Sequence, residues 1–284
     1  MTPKLPQPRR ARRAALGAEL KRLRELNGVS GRMVAKALGI SQSAVSRKEA
    51  GGAPLSLPEV TAWADAIRAS QEDRGRLLWM AEQAVTETIP LESWHAETGA
   101  AGIQHEIGML ERASRFIANF QPDFVPGLLQ TAEYARRVLA AAGNPDPATA
   151  ALRRLDRQAI LHDLSHRLEF IITEAALRWR TGPPDILVPQ LDRIASLATL
   201  GNLTVEVIPL DAEWRTAPPY PFVLYEDRDD GAPPMAVAEL PDQRIETANI
   251  EPYRRELEKL RRSALSGDDA IAFIRGLAAS LGES

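Results

Sequence analysis

The 284-residue chain contains no cysteine. Disulfides, thiolate metal sites and cysteine nucleophiles are therefore excluded, and a reducing compartment suits such a chain. No apolar run approaches the ~18–20 residues that a membrane span needs, so no membrane is expected among its partners. The opening "MTPKLPQPRRARR" has basic charge but lacks the apolar stretch of a signal peptide. A cytoplasmic, nucleoid-associated protein is expected. G-x-S-x-G, the P-loop and G-x-G-x-x-G are all missing, as are internal repeats and low-complexity tracts. His162 and His166 are four apart, but no third metal ligand accompanies them. The acidic "YEDRDDG" at 225–231 lacks the spacing of a calcium loop and reads as a hairpin turn. No acid, base and nucleophile can be assembled, so neither an enzyme, a cofactor nor a metal is expected.

What is present suffices for a packed core: 44% of residues are hydrophobic, too many for a disordered chain. The length suggests two domains. The net charge of −3 is unevenly spread. Residues 1–69 hold 13 Lys/Arg against 5 Asp/Glu, whereas residues 70–284 hold the other 22 against 33. A basic head on an acidic body is the pattern of a polyanion-binding module joined to a domain with another task.

Residues 1–13 read as a mobile basic arm, with Arg9, Arg10, Arg12 and Arg13 as candidates for reaching phosphates or a minor groove. A first helix is predicted over residues 12–27, with Leu16, Leu20, Leu23 and Leu26 at three- and four-residue spacing. Ser30 and Ser41 are placed to cap two short helices, and Gly39 lies between them. "SLPE" at 56–59 looks like a capping box that opens a fourth helix carrying Val60, Trp63, Ala64 and Ile67. Further helical patterns over 71–85 and 91–112 lead into a stretch of different texture. There, strand-like runs at 115–120, 168–173, 203–208, 221–225 and 235–239 alternate irregularly with helical patterns. The fold expected is mixed: an N-terminal all-α five-helix domain over 14–69, a helical connector over 70–112, and an α+β domain with one mixed sheet over 113–284.

The chemistry lies in "KALGISQSAVSRKEAG", residues 36–51. A helix-turn-helix needs small residues where its helices cross, a glycine at the turn, and polar side chains facing outward into a major groove. Ala35 serves the crossing, Gly39 the turn, and Leu38, Ile40 and Val45 the core. The outward positions are Ser41, Gln42, Ser43, Ser46 and Arg47. Gln can read adenine through two hydrogen bonds, and Arg can read guanine or hold phosphate. Ser41 and the unpaired N–H groups of its helix start are suited to phosphate. Double-stranded DNA is the expected partner, read by residues 41–50.

Residues 16–67 resemble the Xre-type, lambda-repressor-like helix-turn-helix family through "LGAELKRLRELNGVS", "MVAKALGISQSAVSR" and "LSLPEV". The resemblance implies a five-helix DNA-binding domain acting as a homodimer on a two-fold operator. The chain departs from the family twice. The family commonly opens its second helix with Gln; here Gly31 stands there, followed by Arg32, which becomes a candidate phosphate contact. Lys48 stands where the family prefers Ile, Leu or an aromatic. Either its stem lies over the core with its ammonium at the rim, or it adds a phosphate contact beside Arg47.

"FQPDFVPGLLQTAEYARRVL" at 120–139 reads as a strand end, a Pro126-Gly127 turn and a helix capped by Thr131. It looks like the hallmark of actinobacterial regulators that join an Xre-like domain to a C-terminal domain of unknown function. "LVPQLDRIASLATLGNLTVEVIPL" and "YRRELEKLRRSALSGDDAIAFIRGLA" fit the same group. That resemblance implies transcriptional control and, as an alternative, an antitoxin-like module that sequesters a small neighbour-encoded protein. Leu128, Leu129 and Tyr134 read most simply as core, and otherwise, with Phe124 and Pro126, as a partner or ligand surface. "RRLDRQAILHD" at 153–163 reads as a solvated amphipathic surface.

Overall fold

A computed structural model describes residues 7–53, 55–213, 215 and 220–282. The chain divides into two compact units, Met1–Thr88 with Glu246–Asn249, and Ile89–Ile245 with Ile250–Ser284. Pro54, expected to help close the third helix, and Trp214, expected to line a core or pocket, lie outside the described residues.

The first unit is built from α1 (Gln7–Leu26), α2 (Gly31–Leu38), α3 (Gln42–Glu49), α4 (Leu57–Ala66) and α5 (Gln71–Val85). α1 starts at Gln7 rather than Arg12, so residues 7–13, expected in a mobile arm, are helical. Proline is compatible with a first helical turn, where its missing N–H costs nothing, and Pro8 falls there. Leu16, Leu20 and Leu23 pack with Val34, Ala35, Val45, Val60, Trp63, Ala64, Ile67 and Leu77 in one buried cluster. Leu26, expected to join them, is 71% exposed at the end of its helix. α5 belongs to this core through Leu77, Ala81 and Ala84. The capping box is formed as read: the Ser56 hydroxyl accepts from the Glu59 N–H, and the Glu59 carboxylate accepts from the Ser56 N–H.

The chain carries a mixed seven-stranded sheet, five of whose strands, β2 to β6, lie wholly in the second unit. Its strands are β1 (Thr86–Pro90), β2 (Ser114–Gln121), β3 (Arg167–Thr173), β4 (Leu203–Ile208), β5 (Phe222–Arg228), β6 (Met235–Glu239) and β7 (Gln243–Thr247). The strand order is β1-β7-β6-β5-β2-β3-β4. β2 is parallel to β3, with Ile117 opposite Leu168, and antiparallel to β5, with Phe120 opposite Phe222. β4 pairs parallel with β3, and β6 antiparallel with β5. The helices are α6 (Leu91–Ala113, broken at Gly99), α7 (Ala132–Ala141), α8 (Pro147–Arg157), α9 (Glu174–Arg178), α10 (Pro184–Leu197), α11 (Glu251–Arg261) and α12 (Gly267–Gly282).

Side chains alternate across a strand, and both faces of this sheet are covered. Ile117, Leu168, Phe170, Ile172, Val205 and Val207 face one core with Leu191, Ile194 and Ile274. Ala118, Phe120, Ile171, Phe222 and Leu224 face a second core with Leu257 and Leu260.

The "VPGLLQT" turn is held inside by amides. Gln130 Nε2 donates to Val125 O at 2.7 Å, and Gln158 Nε2 to Gln130 O at 2.7 Å. Gln190 Nε2 donates to Leu129 O at 2.8 Å, while its Oε1 accepts from the Thr131 N–H at 2.7 Å. Leu128, Leu129 and Tyr134 are therefore core residues, 3%, 0% and 0% exposed, and Pro126 is buried too. Of the five residues considered for a partner or ligand surface, only Phe124 reaches solvent. Leu129→Ala should lower the unfolding free energy by about 2–5 kcal/mol, measured by urea denaturation, because it empties a closed site.

Candidate nucleic-acid interface

α2 and α3 are fixed at both ends by short-range chemistry. The Ser30 hydroxyl accepts from the Met33 N–H and the Ser41 hydroxyl from the Ala44 N–H, so each helix is capped as read. Between them Gly39 adopts φ 66°, ψ 27°, and its N–H closes α2 onto Ala35 and Lys36 carbonyls. A Cβ in that left-handed conformation is strained, so the turn favours glycine. Val45 points inward at 1% exposure.

This leaves Ser41, Gln42, Ser43, Ser46 and Arg47 exposed along one side of α3, and Arg32 exposed at the start of α2. Ser41 and Ser43 hydroxyls lie 2.9 Å apart. With Ala44 satisfied by Ser41, the first two N–H groups of α3, on Gln42 and Ser43, have no intrahelical partner. They form a site suited to one phosphate oxygen, beside side chains that can read base edges.

The back of α3 is held by contacts that the sequence did not announce. A Cβ on Gly17 would stand 2.4 Å from Glu49 O and 2.5 Å from Lys48 O, so α1 crosses the end of α3 at backbone contact. Arg24 forks onto Glu49 at 2.6 and 3.1 Å and also donates to Val29 O. A glycine inside an otherwise strong helix costs about 1 kcal/mol, which is the sequence signal that could have flagged Gly17.

Lys48 is half-buried, and its Nζ donates to Glu59 Oε1 at 2.9 Å. Burial alone would raise the Glu59 carboxyl, but the Ser56 N–H and the Lys48 ammonium outweigh it and hold the group below its ordinary value. The Lys48 ammonium is thus paired with a carboxylate of α4. Of the arm candidates, Arg12 donates to Gln83 O and Thr86 O at 3.3 and 3.2 Å, closing the end of α5. Arg13 is half-buried, and the side chains of Arg9 and Arg10 lie outside the described residues.

His162 is exposed and His166 buried, with His166 Nδ1 3.2 Å from Asp163 Oδ2. Among the described residues no group of His, Asp and Glu is arranged to hold a metal ion, and no helix is long and apolar enough to cross a membrane. Only residues 229–231 of the acidic stretch form the turn after β5; Tyr225–Arg228, read as part of that turn, lie within the strand.

Lys48→Ile should change the unfolding free energy by less than about 1 kcal/mol, since Glu59 keeps its Ser56 bonds. The salt dependence of DNA binding should keep its slope. A slope shallower by about one, in fluorescence titrations across salt concentrations, would instead place Lys48 on a phosphate.

Comparison with known families gives two matches. Residues 15–77 match a family described as "Helix-turn-helix domain". Residues 104–276, more than half of the chain, match one described as "Domain of unknown function (DUF5753)". No curated protein and no solved structure matches the chain.

Proposed function

The chain belongs to the DUF5753 family, and from that premise we propose that it is a sequence-specific transcription regulator of the Xre type that reads double-stranded DNA with α3. The carrying observation is the pairing of an exposed Ser/Gln/Arg face with a back locked by Gly17, Glu49 and Val45. Gln42 and Arg47 supply base contacts in the major groove. Arg32 and the Gln42 and Ser43 N–H groups set the helix on the phosphates. Residues 14–69 are the reader, and residues 113–284 sense an effector or engage a protein. The actinobacterial regulators named by resemblance are the proposed kin, and the nucleoid is the proposed location. The antitoxin-like alternative ranks second, because only Phe124 of its surface is exposed.

A gel shift with the DNA upstream of the protein's own gene tests the reading. The Gln42→Ala/Arg47→Ala double variant should bind at least about tenfold more weakly, a good base contact being worth roughly 1–3 kcal/mol. Equal binding by both proteins would remove α3 as the reader.

Two recognition helices on one face of DNA need half-sites about 34 Å apart, so the acting species is a homodimer. Sedimentation with a two-fold operator fragment should give two copies per duplex; a single copy at saturation would refute the dimer.

A further inference from the structure

Within the DUF5753 domain, α6 and α8 face each other across an open cleft of about 370 Å³, lined by Gln104, His105, Arg112, Arg153, Asp156 and Arg157. The volume lies in the range of small-molecule sites. Its floor is a built element. Arg157 is buried, forks onto Glu111 at 2.8 and 2.5 Å, and donates to Gln104 Oε1 at 2.5 Å. Gln104 and Glu111 are themselves 5% and 3% exposed. A Cβ on Gly108 would come within 3.2 Å of both Arg157 Cγ and Arg112 Nη1, so this glycine lets the two guanidinium side chains lie along α6.

The charges around the cleft do not cancel. Arg157 is matched by Glu111, and Arg153 stands 3.6 Å from Asp156. The third guanidinium, Arg112, has no carboxylate partner among the described residues and is exposed. Behind this wall, Arg154 bonds the neutral Gln130 at 2.6 Å, and its Nε is buried without a hydrogen-bond partner. Burial first, and then the nearby Arg157, push that guanidinium down to about 10, against the pull of Glu111 and Glu239. The lining itself is polar, but helical spacing puts apolar side chains next to it: Met109, on the face of His105 and Arg112, is 56% exposed, and Leu152, one turn before Asp156, is 62% exposed.

We propose that this cleft binds a small organic monoanion, with its acid group on the planar fork of Arg112 and its apolar body against Met109 and Leu152. One uncompensated positive charge matches one negative charge, and the planar guanidinium suits an oxyanion. This rests on, and gives a place to, the sensing half of the function proposed above. It stands on the DUF5753 domain alone and is read without DNA, so its failure and the failure of DNA reading are separate results.

The probe is 8-anilinonaphthalene-1-sulfonate, an aromatic monoanion, titrated into the full-length folded protein with fluorescence as the readout. Octanoate should displace it, whereas inorganic phosphate at the same concentration should not. Arg112→Gln should weaken binding about tenfold or more with the thermal midpoint unchanged, because Arg112 holds no structural partner. Leu152→Ala should weaken it less. Arg275→Gln, an exposed charge on α12, should leave it unaltered. The proposal is overturned if wild type does not bind the probe, if Arg112→Gln binds like wild type, if Arg275→Gln weakens binding equally, or if phosphate displaces as well as octanoate.

Discussion

Burying a guanidinium is costly unless it is paired and hydrogen-bonded, and the organisation of the DUF5753 domain turns on one such pair. Arg157 at the end of α8 is clasped by Glu111 near the end of α6. α6 runs directly into β2, and α8 leads through a short 3-10 turn, Gln158–His162, towards β3. β2 and β3 are neighbouring parallel strands in the middle of the sheet. The ion pair thus ties together the two approaches to the central strands. Removing one partner of such a pair leaves an unpaired buried charge, at a cost of about 3–5 kcal/mol. The same fork forms the floor of the cleft and leaves Arg112 as the lining charge without a carboxylate partner among the described residues.

The helix-turn-helix unit follows a different rule, in which rigidity behind α3 allows a small polar face in front. α3 has only eight residues, too few to be stable in isolation. It is supported by a serine cap, by backbone contact at Gly17, by the Arg24–Glu49 fork and by the Lys48–Glu59 pair. Each of these acts on the rear or an end. The outward Gln42, Ser43, Ser46 and Arg47 are consequently not needed to hold the helix, and less ordering remains to be done when a partner docks.

Legibility followed the strength of the local signal. The capped helices around Gly39 and the apolar strands β2 to β6 could be read because caps, glycine turns and β-branched runs are local. β1 and β7, "TETIP" and "QRIET", went unread because neither is an apolar run. The segment at 153–163 misled for the opposite reason. Its charges looked solvated, yet Arg157, Gln158, Ile160 and Leu161 are buried. What reverses the reading is Glu111, 46 positions away, and no spacing rule reaches that far. Gly17 and Lys48 likewise depend on α3 and Glu59, partners that only the folded chain supplies.

The clasp on the "VPGLLQT" turn is made of carboxamides: Gln130, Gln158 and Gln190 hold the backbone of Val125, Gln130, Leu129 and Thr131. Arg154 and Arg193 close its outer side by donating to two of those amide oxygens. A carboxamide neither gains nor loses a proton in water. Acidification that would dissolve a carboxylate clasp leaves this one untouched. The joint between β2 and α7 is in that sense electrically insulated: it keeps its shape while the ion pairs around it respond to their surroundings.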